Sequence, residues 1–397
     1  MKILYFYQYY STPKGSWGTR VHEFAQEWVK RGHEVQVVSS IYSKSDLKAK
    51  KFIEHQNFDG VDVTVINVRI DNKQPIHKRL LTFASYAFAS IWYALTAKAD
   101  VVIASSGPIT VGVPGLVARY LRGKKMVFEA RDLWPEGAIE LGLIKNSTVK
   151  KMAYALESRC YKASSLVVGL SPGMRNNINA RFPNVNAISV TNAANISLFS
   201  QPREFKEKDG LRPKKYAIYT GNIGVVNNSL WLLEAAKILQ KKNSDIDILI
   251  IGEGQQRELI EKEIKDSGLK TLKVWGLMPK EDLVSYVQNA MVSLVPLKGT
   301  PVLDTSSPNK FFESLAAGVP VIQNTNGWMK DFLEQRKLGY TLDPNDPEAL
   351  ANKLMELDQK GEELSEMGIR AKGIAAKEFD KDYLAEKMIK AIEEVVD

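Results

Sequence analysis

Cysteine and histidine are scarce in this sequence of 397 residues. The single cysteine, Cys160, excludes an intramolecular disulfide framework and suits a reducing cytosol. Cys160 lies in a helical pattern beside apolar residues, which favours a buried structural thiol. The four histidines, at positions 22, 33, 55 and 77, are scattered without the spacing of metal ligands. We therefore expect no zinc site.

Long uncharged runs are also scarce, and one of them, residues 80–97, has the length of a transmembrane helix. Serine, threonine and tyrosine dilute its apolar character, and a strand-like segment follows at residues 100–105. A helix inserted between two strands of one sheet cannot cross a bilayer. We predict a core helix whose exposed aromatic and basic edge rests on a membrane surface. The first residues, MKILYFY, are too few and too strand-like for a signal peptide, so we expect them to form the first strand.

Negative charge is in deficit, because the formal net charge is +8 at pH 7. Such a balance calls for an acidic partner, which can be a nucleic acid, an anionic bilayer or a phosphorylated substrate. No aromatic and basic RNA-binding signature or zinc-finger spacing is present, so we expect no nucleic-acid partner. The remaining composition, 44% hydrophobic and 25% charged, is that of a globular protein. A chain of this length predicts two or three domains.

The N-terminal part has the pattern of a βαβ unit, which places two strands parallel in one sheet. A strand at residues 3–9 is followed by a loop with Gly15 and Gly18, a helix over residues 21–29 and a strand at residues 34–39. The glycines do not form a GxGxxG fingerprint, so a dinucleotide is not implied. They either make a tight turn or let the backbone approach a ligand at the carboxyl edge of the sheet.

A second candidate site follows the predicted strand at residues 125–129, where the sequence continues ARDLWPE. It places Arg131, Asp132 and Glu136 at the position where α/β sheets hold their ligands. Arg131 and Asp132 can also simply pair with each other or with neighbours. We favour the functional interpretation because of the position of these residues in the predicted sheet.

The periodic pattern stops at residues 192–213, which collect charge and proline, and it begins again from residue 215. We predict an N-terminal domain of residues 1–195, a linker of residues 196–213 and a C-terminal domain of residues 214–378. The final segment, residues 379–397, is predicted as a helix that packs toward the N-terminal domain.

Glycine-bearing loops follow four successive strands of the C-terminal domain. They contain Gly221, then Gly252 and Gly254, then Gly276, and then Gly299. Parallel strands place these loops on one edge of one sheet. Glycines there let backbone N–H groups and helix N-termini face an anionic ligand. Each loop is a weak signal, but the series is a strong one.

Residues 304–322 (DTSSPNKFFESLAAGVPVI) predict a loop, a short helix and a buried strand. Ser306 or Ser307 can cap the helix, and Gly318 suits its C-terminal end. Lys310 and Glu313 share the polar face of this helix, opposite an apolar face. This arrangement is a plausible seat for a phosphorylated ligand, and its alternative is a surface ion pair of little energetic weight.

Four motifs together give the chain a resemblance to a known family. They are residues 15–20 (GSWGTR) with 31–35 (RGHEV), residues 129–136 (EARDLWPE), residues 221–224 (GNIG), and residues 307–313 (SPNKFFE) with 317–320 (AGVP). Over nearly its full length the sequence resembles the retaining glycosyltransferases of family 4, and within them the bacterial cell-surface polysaccharide branch that includes fucosamine transferases. The resemblance implies an α/β protein of the GT-B fold, with two doubly wound Rossmann-like domains that face each other across a cleft.

The resemblance also implies roles for individual residues. Glu313 holds ribose hydroxyls and Lys310 faces the diphosphate or the sugar, while Arg131, Asp132 and Glu136 join Lys310 as reaction-centre groups. The other implied donor-binding residues are Gly15, Gly18, Gly221, Asn222, Glu253, Gly254, Leu277, Lys298, Asp304 and Ser307.

The sequence departs from the family pattern at two places. The family's paired acidic motif has a glutamate where this chain has Thr305, although the adjacent Asp304 is able to serve. Many relatives carry a basic residue shortly after the glycine loop of the second domain, where this chain has VVNN at residues 225–228. Neutralisation of the leaving diphosphate then falls on Lys310, Lys298 or Arg131. A DID triplet at residues 245–247 precedes a strand, so we predict no metal role for it.

The implied activity is transfer of a sugar, with retention, from a nucleoside diphosphate to a lipid-linked saccharide. The expected donor is UDP-linked and carries an N-acetylated amino sugar, and the expected acceptor is a polyprenyl-diphosphate-linked saccharide of bacterial surface polysaccharide synthesis. No cofactor or metal is expected, and the expected location is the inner face of the cytoplasmic membrane. Two alternatives stay open, namely a nucleotide-sugar epimerase on the same fold and a non-catalytic membrane-surface protein.

Overall fold

The computed structural model describes residues 1–71 and 74–396, which form two compact units. The first unit contains Met1–Asn192 together with the chain from Lys381, and the second contains Ala193–Asp380. Each unit is an α/β structure built on its own sheet.

The sheet of the first unit has eight strands within the described residues, in the order β3-β4-β2-β1-β5-β6-β7-β8. All neighbouring strands are parallel except the β3–β4 pair. The strands are β1 (Lys2–Phe6), β2 (Glu34–Tyr42), β3 (Ile53–Phe58), β4 (Val61–Ile70), β5 (Val101–Ser105), β6 (Lys125–Ala130), β7 (Leu166–Gly169) and β8 (Ala187–Ser189). The helices that connect them are α1 (Arg20–Lys30), α2 (Ile76–Thr96), α3 (Gly112–Arg122), α4 (Glu136–Glu140), α5 (Ser147–Ala163) and α6 (Pro172–Arg181).

The sequence patterns did not predict the β3–β4 hairpin, or any other element between the second strand and residue 80. Its two-residue turn is Asp59-Gly60, and both residues have positive φ, at 54° and 89°. An Asp-Gly turn of this kind matches the twist of two antiparallel strands and is a strong local hairpin signal. The edge of the sheet was therefore predictable from this dipeptide.

The sheet of the second unit has six strands in the described part of the chain, in the order β11-β10-β9-β12-β13-β14, and all are parallel. They are β9 (Tyr216–Asn222), β10 (Asp247–Glu253), β11 (Leu272–Trp275), β12 (Val292–Val295), β13 (Val321–Gln323) and β14 (Gly339–Thr341). The helices are α7 (Ile196–Ser200), α8 (Ser229–Lys241), α9 (Arg257–Ser267), α10 (Lys280–Gln288), α11 (Asn309–Ala317), α12 (Trp328–Arg336), α13 (Pro347–Leu357) and α14 (Gly361–Glu378).

The segment predicted as a linker, residues 196–213, belongs to the second unit instead. It begins with α7, whose Phe199 is fully buried, and it continues to Leu211, which is 1% exposed in the same core. The partly buried side chains of Ile196, Leu198 and Phe205 pack against the same core. These apolar residues are irregularly spaced beyond the five-residue helix α7, so they produce no periodic pattern and the sequence resembles a linker.

The last helix, α15 (Lys381–Val396), packs on the N-terminal unit, as predicted. It lies against α1, where the indole N–H of Trp28 donates to the carbonyl oxygen of Ala385 at 2.9 Å. The Arg31 guanidinium donates to the Glu386 carboxylate at 2.9 Å. The buried apolar face of the helix includes Leu384, Met388 and Ile392.

One side of α2 packs in the core, where Phe83 and Tyr86 are buried and the Tyr86 hydroxyl donates to the Val38 carbonyl oxygen of β2 at 2.6 Å. Over residues 1–71 and 74–396, no helix combines the length and the apolar character needed to span a membrane.

Candidate active site

The glycine loops of the second unit follow strands that are direct neighbours in the sheet, so they lie along a single edge. A Cβ on Gly252 would lie 1.8 Å from the carbonyl oxygen of Gly221, and a Cβ on Gly254 would lie 2.1 Å from that of Ile223. Gly221 and Gly252, which the sequence predicted in loops, are paired residues within β9 and β10. Gly252 and Gly254 are therefore required by the close approach of the end of β10 to the end of β9. The sequence pattern located the edge correctly, but contact between the loops supplies a reason for the glycines that involves no ligand.

Gly221 has a different reason to be glycine. Its φ of +139° lies in a region that residues with a side chain rarely adopt. The Cε and Nζ atoms of Lys310 each lie 3.2 Å from the position that a Cβ on Gly221 would occupy. The absent side chain leaves the space in which the Lys310 ammonium rests against the β9 loop.

Lys310 places an ammonium group at this edge. Its Nζ lies 4.2 Å from the centre of the Tyr219 ring and 3.4 Å from Oδ1 of Asn227. Burial lowers the pKa of Lys310 to about 7, and the neighbouring Glu313 carboxylate opposes part of this effect. Because this pKa is near neutral pH, the protonation of Lys310 changes readily when an anion binds beside it.

Glu313 lies one turn after Lys310 on α11 and is 9% exposed. Its Oε1 accepts a hydrogen bond from Nζ of Lys280, the first residue of α10, at 2.8 Å. The predicted division of α11 into a polar and an apolar face is only partly right, because all residues from Phe311 to Ala317 are buried. The polar side packs on the sheet, where the Ser314 hydroxyl bonds that of Ser293 in β12 at 2.6 Å.

The segment before α11 is held by the protein's own polar groups. Oδ1 of Asp304 accepts from the backbone N–H of Asn326 at 2.8 Å, and the Thr305 hydroxyl donates to the Val302 carbonyl oxygen at 2.7 Å. Ser307 is 8% exposed. The predicted serine cap is wrong, because the helix begins after Pro308 and no side chain caps it.

Other predicted donor-binding residues surround this edge. Glu253 forms an ion pair with Arg257, which also donates to the Gly252 carbonyl oxygen at 3.2 Å. The backbone N–H of Lys298 donates to the Val226 carbonyl oxygen at 2.8 Å, which ties the β12 loop to the β9 loop. The Asn222 carbonyl oxygen accepts from the Tyr219 hydroxyl at 2.7 Å. Leu277, just beyond β11, is 48% exposed.

The DID triplet carries two carboxylates that are both engaged in ion pairs. Asp245 pairs with Arg212 at 3.1 Å, and Asp247 pairs with Lys273 at 2.9 Å. Among the residues that the structure describes, no cluster of three or more histidine, cysteine, aspartate or glutamate side chains is arranged to hold a metal ion.

The first unit has a buried ionic network at the carboxyl end of β6. Glu129 is fully buried, and its Oε1 accepts from Nε of Arg20 at 2.9 Å. Its Oε2 accepts from the Tyr5 hydroxyl at 2.8 Å and from the Ser105 hydroxyl at 2.5 Å. Burial would raise the pKa of Glu129, but Arg20 and then Arg131 outweigh it and hold the pKa below its ordinary value. Three strands and α1 are therefore joined at one charged centre.

The three predicted reaction-centre residues of the first unit follow this network in the chain. The Arg131 guanidinium lies 4.8 Å from the centre of the Tyr7 ring, and its Nη1 lies 3.9 Å from Oε2 of Glu129. Burial raises the pKa of Asp132 to about 6, and Arg131 offsets part of the rise. Asp132 is nevertheless exposed at the protein surface, so solvent reduces the effect of burial on its carboxylate. The Glu136 carboxylate accepts from the Tyr154 hydroxyl of α5 at 2.7 Å.

The predicted glycine loop of the first unit precedes α1. A Cβ on Gly15 would lie 2.1 Å from the Ser11 hydroxyl oxygen. The same loop is anchored by Asp46, whose Oδ2 accepts from the Thr12 hydroxyl at 2.7 Å. Gly18 is half-buried, two residues before α1 begins.

Four residues in these two sites had no predicted role. They are Tyr5, Arg20, Glu129 and Lys280. Arg20 and Glu129 are 109 residues apart in the chain, and Lys280 and Glu313 are 33 apart. Two of them, Arg20 and Glu129, lie in motifs that carry the family resemblance, and this was the available signal.

Two family models match the chain in succession. Residues 15–192 match the model described as "Glycosyl transferase 4-like domain", and residues 214–360 match the one described as "Glycosyl transferases group 1". Among similar curated proteins is a probable glycosyltransferase WbjE of Pseudomonas aeruginosa, 22% identical over 83% of this chain and 83% of its own length. Another is a 2-deoxystreptamine N-acetyl-D-glucosaminyltransferase of Niallia circulans, 26% identical over 38% of each chain.

Among solved structures, the chain is similar to HepE of Anabaena, determined in complex with UDP and glucose. The TM-score is 0.71 at 16% identity, and the match covers 99% of both chains. At this identity, the likeness shows that the two chains share a fold.

Proposed function

Because this chain belongs to family 4 of the glycosyltransferases and has their GT-B fold, we propose that it transfers a sugar, with retention, from a nucleoside diphosphate to a lipid-linked saccharide. The proposed pathway is bacterial surface polysaccharide synthesis, and the proposed donor is a UDP-linked N-acetylated amino sugar. The complex of HepE with UDP and glucose supports the choice of UDP. The N-acetylglucosaminyl activity in the name of the Niallia circulans relative supports the choice of sugar.

The observation that carries the proposal is the position of Lys310 against Gly221. A partly desolvated ammonium group rests on Gly221 at the carboxyl edge of a parallel sheet, where backbone N–H groups can donate hydrogen bonds to an anion. This is an arrangement that fits a diphosphate. The Glu313 carboxylate, one helical turn away, is available to accept hydrogen bonds from ribose hydroxyls.

The proposed reaction forms a bond between an acceptor hydroxyl oxygen and the anomeric carbon, on the face from which the diphosphate leaves. The bond from the anomeric carbon to the phosphate oxygen breaks, and the proton of the hydroxyl passes to the departing phosphate oxygen. Lys310 and the loop N–H groups stabilise the negative charge on the diphosphate, and one well-placed donor of this kind contributes about 3 kcal/mol. The proposal assigns this neutralisation to the protein rather than to a metal ion.

Arg131, Asp132 and Glu136 are proposed to act on the acceptor side. The Asp132 carboxylate is proposed to accept a hydrogen bond from the acceptor hydroxyl and so orient it, before the proton passes to the departing phosphate oxygen. Arg131 supplies a permanent positive charge beside it. Glu136 accepts a hydrogen bond from Tyr154 and so positions the short helix α4, which follows Arg131 and Asp132 in the chain.

The first experiment is a thermal-shift screen of the intact protein with nucleoside diphosphates and their sugars, because a ligand that binds the folded state stabilises it according to its affinity. A shift with UDP and a larger one with UDP-linked sugars supports the donor assignment. No shift with any nucleoside diphosphate would support a non-catalytic protein instead.

The second experiment is product analysis with the donor that the screen selects. Transfer to a polyprenyl-diphosphate saccharide, or to a short-chain analogue of it, supports the proposal. A change of configuration in the donor sugar without an acceptor would support the epimerase. If Lys310→Ala and Glu313→Ala each leave transfer within about a factor of two of wild type, the proposed donor site is wrong.

A further inference from the structure

Helices α2 and α3 expose an apolar and aromatic face on the first unit. On α2, Leu81, Phe88 and Trp92 are exposed by 68%, 77% and 64%. They lie seven and four residues apart, which places them on one side of the helix. On α3, Tyr120 and Leu121 are exposed by 66% and 69%. We call this surface the α2–α3 face.

The two helices are neighbours, and their C-terminal ends lie at the same edge of the sheet. Helix α2 ends four residues before β5 begins at Val101, and α3 ends two residues before β6 begins at Lys125. Strands β5 and β6 are parallel, with Val101 paired to Lys125. Trp92 of α2 and Tyr120 of α3 are therefore at the same end of the unit, on two helices that are in contact.

The charge on the α2–α3 face has one sign. Residues 76–98 and 112–125 contain no aspartate or glutamate. They contain seven cationic residues, of which Lys78, Lys98, Arg122 and Lys125 are exposed. Asp100 lies between the two segments in the chain, and its carboxylate accepts a hydrogen bond from the backbone N–H of Lys2 at 2.7 Å.

Helix α5 extends the same chemistry. It contacts α3, and its Met152 side chain is 68% exposed. Lys150 and Lys151 add two more cations to its exposed first turns. An apolar surface of this extent is unusual on a protein that meets only water.

We infer that the α2–α3 face is a docking surface for an anionic lipid bilayer. Exposed tryptophan, phenylalanine and leucine enter the headgroup region, and flanking lysine and arginine side chains meet lipid phosphates. The surface lies wholly on the first unit. The inference does not depend on the proposed donor or acceptor, because it rests on the exposure and the charge of this face alone.

The test measures how the intact protein floats with vesicles, in the absence of any substrate. Vesicles of phosphatidylglycerol and phosphatidylethanolamine are compared with vesicles of phosphatidylcholine. We expect binding to the anionic vesicles to be stronger by at least about tenfold and to weaken as salt is added.

Two sets of variants separate the apolar and the basic contributions. We expect Phe88→Ser combined with Trp92→Ser to lower the vesicle affinity by about tenfold or more. We expect Lys78→Gln, Arg122→Gln and Lys125→Gln together to lower the affinity for anionic vesicles to a similar extent. The matched controls lie on the second unit. They are Ile369→Ser, at a side chain 71% exposed, and the exposed set Lys262→Gln, Lys265→Gln and Lys270→Gln, which should remain within about a factor of two of wild type.

Three outcomes would overturn the inference. The first is a wild-type protein that stays off anionic vesicles, and the second is loss of binding in the charge variant while the apolar variant binds normally, which would indicate adsorption by net charge. The third is a dimer, seen by light scattering without vesicles, that Phe88→Ser with Trp92→Ser dissociates, which would identify a second copy as the partner. Thermal shift with UDP, measured on each variant, reports on the donor site separately.

Discussion

The ammonium group of Lys310 lies 4.2 Å from the centre of the Tyr219 ring, directly over the glycine turn that ends β9. The electron-rich face of the ring stabilises the charged lysine, whereas burial favours the neutral form and lowers its pKa to about 7. An arriving diphosphate shifts this balance toward the charged form. The pair therefore links protonation of the protein to donor binding.

This linkage predicts that UDP binds more weakly as pH rises. The diphosphate raises the pKa of Lys310, so above pH 7 the protein takes up a proton on binding, and the affinity falls by up to about tenfold per pH unit. Titration calorimetry between about pH 7.5 and 9.5 avoids protonation of the phosphate, whose own pKa is near 6. Repeating it in buffers of different ionisation enthalpy counts the protons taken up.

Lys310→Arg and Lys310→Met serve as the matched variants for this measurement. The arginine keeps its charge throughout the range, so its UDP affinity should not change with pH. The methionine should bind UDP weakly and also without pH dependence. A slope with pH that persists in both variants would assign the proton to another group.

Glu313 is predicted to distinguish ribose from deoxyribose. A carboxylate that accepts hydrogen bonds from the sugar hydroxyls loses these bonds with 2′,3′-dideoxy-UDP, and hydrogen bonds to charged groups are worth about 1.5–3 kcal/mol. We expect wild type to prefer UDP by at least tenfold, an effect of about 1.4 kcal/mol. Glu313→Gln should reduce this preference, as measured by competitive binding.

Lys280→Met is the control for that prediction. It removes the cation that bonds Glu313 at 2.8 Å but leaves the carboxylate in place. We expect the preference for ribose to survive in this variant. A loss of preference equal to that of Glu313→Gln would mean that the ion pair only supports the local structure.

Gly252→Ala should destabilise the second unit. The added methyl group would lie 1.8 Å from the Gly221 carbonyl oxygen, and this backbone cannot move without separating β9 from β10. We expect a loss of at least about 2 kcal/mol in the free energy of unfolding, measured with denaturant. In Gly373→Ala, within α14, the methyl group meets no atom within 4 Å. That control should be neutral or more stable by about 1 kcal/mol.

Removal of the Glu129 carboxylate should destabilise the first unit. Glu129→Ala leaves Arg20 buried without its anion, and breaking a buried pair in this way costs about 3–5 kcal/mol. Glu348→Ala, which removes an exposed partner of Lys242, should change the free energy of unfolding by less than about 1 kcal/mol. Chemical denaturation of both variants at neutral pH makes the comparison.

The Glu129 effect should also depend on pH. Because the folded protein holds the pKa of Glu129 below its ordinary value, the carboxylate stabilises the fold above that value, and the contribution is lost as pH falls through the lowered pKa. The difference in stability between wild type and Glu129→Ala should therefore shrink in acid. A difference that stays constant down to the acid unfolding of wild type would mean that packing, not charge, determines the loss.

The glycine loops show how far local pattern predicts this site. Four strands followed by glycine loops predicted a parallel sheet with a ligand-binding edge, and the strands are indeed direct neighbours. The pattern did not reveal that Gly252 and Gly254 accommodate the β9 loop, because the atoms they would clash with lie about thirty residues away in the chain. The linker prediction was wrong for a similar reason. Phe199 and Leu211 pack in a core whose other residues lie far away in the chain.

By itself, the sequence determined the features that depend on neighbouring residues. These are the alternation of strands and helices, the Asp59-Gly60 turn, and the position of Lys310 and Glu313 on one short helix. Only the tertiary structure decided their electrostatics. The pKa of Lys310 depends on burial, Glu313 is paired with Lys280 of another helix, and Glu129 is charged because Arg20 lies beside it, 109 residues away. Dielectric environment and ion pairing are set by distance in space, which spacing along the chain does not specify.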